Sequence, residues 1–153
     1  MNEFCSRRLA LPSTPLPDEI VGAMRKAIDL LGDGIRGVLA FGSWARGEMV
    51  EGSDIDLLIV VGPEQEIDRS IYRAWDRSPP DREGPSVEVH FVHLPEEHRR
   101  INGLWAEVAI DGIVLFDGDL SVSRRLAEIR RRIASGELIR RWEGGHPYWV
   151  EVA

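Results

Sequence analysis

The spacing of apolar residues predicts helices that alternate with strands along the chain. Helical spacing begins at Ile20 and continues to Leu31, which predicts a helix over residues 18–31. Two later apolar runs are continuous rather than periodic, and they predict buried strands over residues 35–41 and 54–61. Between these strands the sequence predicts a Gly-Ser turn, a short helix and a loop.

The second half of the chain continues the same alternation. Its apolar spacing predicts three helices, over residues 67–76, 95–109 and 121–141. The apolar runs and breaker residues also predict two strands, over residues 86–93 and 112–116, and one long loop over residues 78–85. Helices interspersed with strands are typical of an α/β or α+β fold, in which helices flank a mixed sheet. The last predicted helix is rich in arginine, so the fold is expected to end in a basic helix.

The predicted elements divide one domain into three segments. Residues 1–17 form a Pro-rich N-terminal extension, and residues 18–120 form the core. Residues 121–153 add the basic helix and an apolar tail that packs on the same domain. Segment 144–150 of this tail is too apolar for a free end, which leaves two interpretations: an extra strand, or contacts between copies in a homo-oligomer.

Composition places the chain among ordinary globular domains. A chain of 153 residues, 43% hydrophobic and 29% charged, is long enough for one domain with a real core. No apolar run approaches the roughly 20 residues that span a membrane, and the N-terminus lacks the pattern of a secretory signal. The single cysteine, Cys5, excludes an internal disulfide and fits a reducing compartment. These features predict a cytoplasmic protein without a membrane partner.

The net charge of −7 is unevenly distributed. Residues 121–153 have a balance of +3, and residues 1–120 have a balance of −10. An acidic body argues against a large nucleic-acid footprint, which normally needs a basic face. The arginines of the last segment have two interpretations: a solvated helix face, or a docking surface for an acidic partner or RNA.

The pattern that points most directly to chemistry is a Gly-Ser turn followed by two spaced aspartates. Asp54 and Asp56 are one residue apart at the start of a predicted strand, so their side chains are expected to point the same way. Neighbouring carboxylates repel unless a cation lies between them, and hard divalent cations such as Mg²⁺ prefer oxygen ligands. Gly42 and Ser43 would offer backbone N–H groups and a hydroxyl to phosphate oxygens. Together these residues predict chemistry on a nucleoside triphosphate.

Three short motifs in this region resemble the core of the DNA polymerase beta-like nucleotidyltransferase superfamily, namely Gly42-Ser43, Arg46-Gly47 and Ser53-Asp54-Ile55-Asp56. The chain is most similar to the minimal nucleotidyltransferase branch, whose members are small single-domain proteins. The resemblance covers about residues 35–61 and extends more loosely to about residue 117. It implies the same mixed sheet flanked by helices. It also implies that Asp54 and Asp56 ligate Mg²⁺ and that Ser43, with neighbouring N–H groups, holds the β- and γ-phosphates.

Two further residues of the motif each have two interpretations. Arg46 either adds positive charge at the triphosphate or is a solvated helix arginine. Ser53 either orients Asp54 or is an ordinary turn residue.

A third carboxylate is expected from the resemblance on an adjacent strand, where the family usually has an aspartate. The candidate here is Glu88, which lies alone among apolar residues on the face opposite Val87 and Val89. An acid that faces a core is costly, which favours a metal-bound role, a general-base role or both. The alternative is an exposed strand residue. His90 shares the face of Glu88 and either lines the acceptor side of the cleft or is structural.

The resemblance implies a Mg²⁺-dependent enzyme that transfers a nucleoside monophosphate, AMP from ATP, to an acceptor hydroxyl. In the minimal branch the acceptor is a tyrosine of a HEPN-type toxin, and the nucleotidyltransferase is the antitoxin. Two alternatives stay open: a non-catalytic antitoxin that neutralises by contact, and a transferase for a small aminoglycoside-like acceptor. The second alternative needs a dimer to complete the site, because few residues follow the last predicted strand.

Overall fold

A computed structural model describes residues 15–77 and 84–152 of the chain. In chain order these residues form five helices, one 3-10 turn and six strands: α1 (Asp18–Leu31), the 3-10 turn Gly32–Gly34, β1 (Ile35–Phe41), α2 (Gly42–Arg46), β2 (Ile55–Val61), α3 (Arg69–Asp76), β3 (Val87–His93), α4 (Gly103–Asp111), β4 (Ile113–Asp117), α5 (Ser121–Ala134), β5 (Leu138–Glu143) and β6 (His146–Glu151). Most of the predicted extension 1–17, and residues 78–83 of the predicted loop 78–85, lie outside the described residues.

Four strands form one mixed sheet in the order β3-β2-β1-β4. β1 pairs antiparallel with both β2 and β4, whereas β2 pairs parallel with β3. The predicted fold class, a mixed sheet flanked by helices, is confirmed.

Apolar side chains cover both faces of this sheet, and β2 is buried on both. Residues of α1 and α3 pack on the face that carries Leu57 and Ile59. Residues of α4 and α5 pack on the other face, which carries Leu39 and Leu58. A continuous aliphatic run suits such a strand, because neither face meets water. None of the described helices combines the length and the apolarity needed to cross a membrane.

The predicted helix over residues 95–109 begins later than expected. α4 starts at Gly103, after a stretch of turns, because Asn102 caps it: the Asn102 side chain accepts a hydrogen bond of 3.0 Å from the Trp105 N–H. The sequence-based start at Pro95 was therefore wrong, and the cap residue was the better signal.

The predicted helix over residues 121–141 was also too long. α5 ends at Ala134, and the chain turns at Gly136 into β5, which pairs antiparallel with β6. The Gly144-Gly145 pair between the two strands has positive φ at both positions, the conformation that tight hairpin turns require. The apolar tail is therefore the second strand of a hairpin. It contacts α4 through Trp149, whose indole N–H donates a 2.9 Å hydrogen bond to Glu107.

Close packing of α5 on the sheet depends on a glycine in β1. A Cβ at Gly37 would lie 2.7 Å from Val122 Cγ2 and 2.9 Å from the Phe116 carbonyl oxygen. Gly37→Ala should therefore lower the free energy of unfolding by about 1–3 kcal/mol, because α5 or β4 must shift. Gly22→Ala is the matched control: it lies in α1 with nothing within 4 Å of the added Cβ, and it should stabilise by up to about 1 kcal/mol. Urea unfolding of both variants measures these changes. An equal change in the free energy of unfolding for Gly37→Ala and Gly22→Ala would contradict the prediction.

Candidate active site

The parallel register between β2 and β3 places Asp56 and Glu88 side by side. Asp56 is opposite Glu88 on β3 and opposite Phe41 on β1. Since side chains alternate along a strand, Asp56 lies on the same face as Leu58, two residues further on. Leu58 belongs to the core beneath α4 and α5. The two carboxylates therefore stand at one end of this face, where the apolar core stops.

His90, which lies on β3, is close to both carboxylates. Its Nε2 atom lies 3.7 Å from Glu88 Oε1 and 4.0 Å from Asp56 Oδ1. Its ring is 5.7 Å from that of Phe41, tilted by 59°. One donor atom from each of Asp56, Glu88 and His90 lies within 4.8 Å of the other two. We refer to these three residues as the Asp56–Glu88–His90 cluster.

The members of the cluster differ in exposure. The Asp56 side chain is 26% exposed, whereas His90 is 39% and Glu88 is 57% exposed. Burial raises the pKa of the Asp56 carboxyl, and the negative charge of Glu88 raises it further. The expectation that Glu88 faces the core was wrong, because β3 is the outer strand of the described sheet and its first residues meet solvent.

Asp54 lies outside the cluster. It precedes β2, which begins at Ile55, and its Oδ1 accepts a hydrogen bond from the Ser86 hydroxyl. Ser86 was missed by the sequence analysis. Ile55 is opposite Val87 in the parallel register, and this pairing sets Ser86 beside Asp54. Only knowledge of the register could have identified it.

The predicted phosphate turn packs directly against the Asp56 carboxylate. Gly42 opens α2 with φ +74°, and a Cβ at this position would lie 2.5 Å from Asp56 Oδ2. A side chain is therefore excluded by both conformation and space. Ser43 follows in the first turn of α2, half-buried, and its hydroxyl has no hydrogen-bond partner within residues 15–77 and 84–152. The turn and the cluster thus form one continuous surface.

Arg46 and Ser53 are engaged by their own neighbours in the chain. The Arg46 Nε–H donates a 2.8 Å hydrogen bond to Glu48, and this carboxylate raises the pKa of the guanidinium. A triphosphate at this position would compete with Glu48 for Arg46. The Ser53 hydroxyl accepts a 3.2 Å hydrogen bond from the Val50 N–H, as in a turn. Ser86, rather than Ser53, hydrogen-bonds to Asp54.

The donor set of the cluster fits a divalent cation. Two carboxylates and an imidazole converge. Burial raises the pKa of Asp56 most, and the repulsion from Glu88 that adds to it is the kind that a bound cation relieves. Oxygen donors suit Mg²⁺ and Mn²⁺, and the imidazole nitrogen extends the range toward transition metals. The same edge of the sheet offers the Gly42–Ser43 turn to phosphate oxygens.

Comparison with known protein families identifies the class of protein that this fold and site define. The nucleotidyltransferase domain family matches residues 23–131, which include all four strands of the sheet and the cluster. The chain belongs to this family and is a nucleotidyltransferase enzyme. Members of the family typically use a divalent metal and a nucleoside triphosphate, for which the cluster is the candidate metal site. The resemblance to the DNA polymerase beta-like nucleotidyltransferases is confirmed.

Solved structures with a similar fold include toxin–antitoxin proteins. One is a crystal structure of a toxin-antitoxin with AMP-PNP, at 18% identity and a TM-score of 0.44, over 74% of this chain and 88% of that one. A mutant of the toxin-antitoxin MntA-HpeT matches at 15% identity and a TM-score of 0.43, over the same shares. A putative nucleotidyltransferase from Sulfolobus solfataricus matches at 18% identity and a TM-score of 0.35, over 69% and 93%. Curated protein sequences gave no significant match.

The raised pKa of Asp56 predicts that its ionised carboxylate lowers the stability of the metal-free folded protein, by an amount that depends on pH. A carboxyl whose folded pKa lies above its ordinary value of 3.8 favours folding in its protonated form, and this contribution is lost as the pH rises through the folded pKa. Asp56→Asn should therefore raise the Tm at pH 7 in EDTA, and the gain should shrink toward pH 4.

Thermal unfolding at both pH values checks the Asp56 prediction. Glu51→Gln is the matched control, since it removes one negative charge from an exposed turn residue that is not part of the cluster. A Tm for Asp56→Asn that is lower than that of the unchanged protein at pH 7 would contradict the assignment. Added Mg²⁺ should narrow the difference, because it stabilises only the chain that retains both carboxylates.

Proposed function

We propose that this nucleotidyltransferase transfers AMP from ATP to a protein hydroxyl, as the antitoxin of a HEPN-type toxin whose tyrosine is the acceptor. The observation that supports transfer chemistry is the contact between the Gly42 turn and the Asp56 carboxylate, which unites a phosphate-binding turn with paired carboxylates. The choice of AMP and of a toxin tyrosine comes from the resemblance of the motifs around Gly42 and Asp54 to the minimal branch.

Each residue of the site would have its own role in this reaction. Asp56 and Glu88, with Asp54 nearby, would hold Mg²⁺, which supplies charge stabilisation to the phosphates when bound. Ser43 and the N–H groups of its turn would orient the triphosphate, because the serine hydroxyl has no other partner among the described residues. Ser86 would fix the Asp54 carboxylate through its hydrogen bond.

The exposed Glu88 carboxylate is the candidate general base. In the reaction, the acceptor oxygen forms a bond to the α-phosphorus as the bond between the α-phosphorus and its bridging oxygen breaks, and pyrophosphate leaves. The proton of the acceptor hydroxyl passes to a carboxylate oxygen. Glu88 suits this role, since its side chain is 57% exposed and an incoming hydroxyl can reach it.

The exposure of the cluster supports a macromolecular acceptor, because the Glu88 side chain is 57% exposed and the His90 side chain is 39% exposed. A cavity of about 490 Å³ lies at the far end of β3, lined by Pro63, His93 and Trp105 among others. Along β3, the lining residue His93 is about 17 Å from Glu88 and about 10 Å from His90, so the cavity does not contain the cluster. Sites for small molecules are usually concave. Exposed side chains at the end of a sheet face suit an acceptor that brings its own surface, as a folded protein does.

Label transfer tests the proposed function. Incubation with Mg²⁺, ATP labelled at the α-phosphate and a lysate of the source organism should label one protein band. Asp56→Asn should reduce this label by at least about 100-fold, because the charge that develops on the phosphates loses its stabilisation. Glu51→Gln should leave it unchanged. ATP labelled at the γ-phosphate should give no band beyond those of the lysate incubated without this protein, since that phosphate leaves with pyrophosphate.

Other results of the same assay would favour a different activity or would contradict the proposed site. Label from the γ-phosphate would replace nucleotidyl transfer by phosphoryl transfer. Label confined to small molecules would favour the aminoglycoside-like alternative. Equal label from Asp56→Asn would contradict the site. If co-expressed Asp56→Asn protein still neutralises the toxin fully, without label, the chain acts as a binding module.

A further inference from the structure

The roles proposed for the carboxylates of Asp56 and Glu88 do not explain why the imidazole of His90 lies beside them. His90 comes from β3 together with Glu88, two residues earlier on the same face. Its Nε2 atom is the ring atom closest to both carboxylates, at 3.7 Å from Glu88 Oε1 and 4.0 Å from Asp56 Oδ1. No hydrogen bond within residues 15–77 and 84–152 ties this ring to the backbone. The nitrogen is therefore directed at the point where the carboxylates converge.

The three donor atoms of the cluster lie within 4.8 Å of one another, close to the separations of donors that share one ion. An octahedral ion with bonds of about 2.1 Å has donor atoms about 3.0 Å apart when adjacent and about 4.2 Å apart when opposite. The distances from Nε2 to the two carboxylate oxygens, 3.7 and 4.0 Å, lie between these values, so side-chain shifts of about 1 Å or less would bring the donors to adjacent positions. They are too long for the direct hydrogen bonds that would make His90 a simple partner of either carboxylate. Phe41 flanks the ring and limits its orientation.

We propose that His90 is a nitrogen ligand of the divalent cation, beside Asp56 and Glu88, and that it shifts the preference of the site from Mg²⁺ toward Mn²⁺. This inference rests on the proposed function, because it concerns the cation of the same site. Mg²⁺ prefers a shell of oxygen atoms, whereas first-row transition ions also accept imidazole. Among these transition ions Mn²⁺ is the one to compare with Mg²⁺, since it shares the octahedral, carboxylate-rich coordination of Mg²⁺.

Pulsed electron paramagnetic resonance of the Mn²⁺-loaded protein tests direct ligation without any enzymatic assay. A coordinated imidazole gives a modulation from its directly bonded ¹⁴N nucleus. The unchanged protein should show this signal, His90→Gln should lose it, and His93→Gln should keep it. His93 is the matched control, an exposed histidine three residues further along the same strand, at its last position. A Mn²⁺ complex of the unchanged protein without nitrogen coupling would overturn the proposal.

Binding titrations test the shift in preference. The loss of free Mn²⁺ signal gives the affinity for Mn²⁺, and competition gives the affinity for Mg²⁺. His90→Gln should weaken Mn²⁺ at least about tenfold and Mg²⁺ by less than about threefold. Equal weakening of both ions, or no binding of Mn²⁺ at millimolar concentration, would overturn the proposal.

These results are separable from those of the proposed function. Nitrogen coupling without any label transfer would support His90 as a ligand and count against the transferase reaction. Label transfer by a protein whose Mn²⁺ shows no nitrogen coupling would support the reaction and remove His90 from the metal site.

Discussion

The parallel pairing of β2 with β3 is the constraint on which the site depends. It aligns Asp56 with Glu88, and it brings His90 next to both. Because side chains alternate, a slip of one residue would turn Glu88 and His90 to the other face of β3 and would bring Val89 into their place. The burial of Val89 and Phe91 on that other face opposes such a slip. The apolar pattern of an edge strand therefore also fixes the position of two polar site residues.

The site is held in an electrostatically unfavourable arrangement by its surroundings. Two carboxylates on adjacent strands repel each other, and the burial of Asp56 adds to the cost, as its raised pKa shows. The strand that carries Asp56 is anchored by apolar side chains on both faces, so the cost does not displace it. Gly42 allows the neighbouring turn to contact the same carboxylate. Perturbed groups of this kind are typical of functional sites.

Much of the fold could be predicted from the sequence, because β1, β2 and α1 have long and consistent apolar patterns. The sequence-based predictions were wrong where two local sequence patterns favoured different secondary structures. An arginine-rich run suggested that α5 continued, although two six-residue segments around Gly144-Gly145 have the form of a hairpin. In the site, the Gly-Ser turn and the acids were visible as motifs. The contribution of Ser86 was not, because it depends on the register between strands about 30 residues apart.

The acids of the motif show how strand pairing adds to sequence spacing. Asp54 lies just before β2 begins and accepts a hydrogen bond from Ser86, whereas Asp56 lies within β2 and is opposite Glu88 in the parallel register. Asp56 is therefore supplied by the rigid central strand, whereas Glu88 and His90 come from the outer strand β3. A change at Glu88 or His90 alters the donor set without removing an apolar side chain of the core. This division would let the outer strand change the ligands of the proposed metal site while the Gly42 turn and the central carboxylate stay in place.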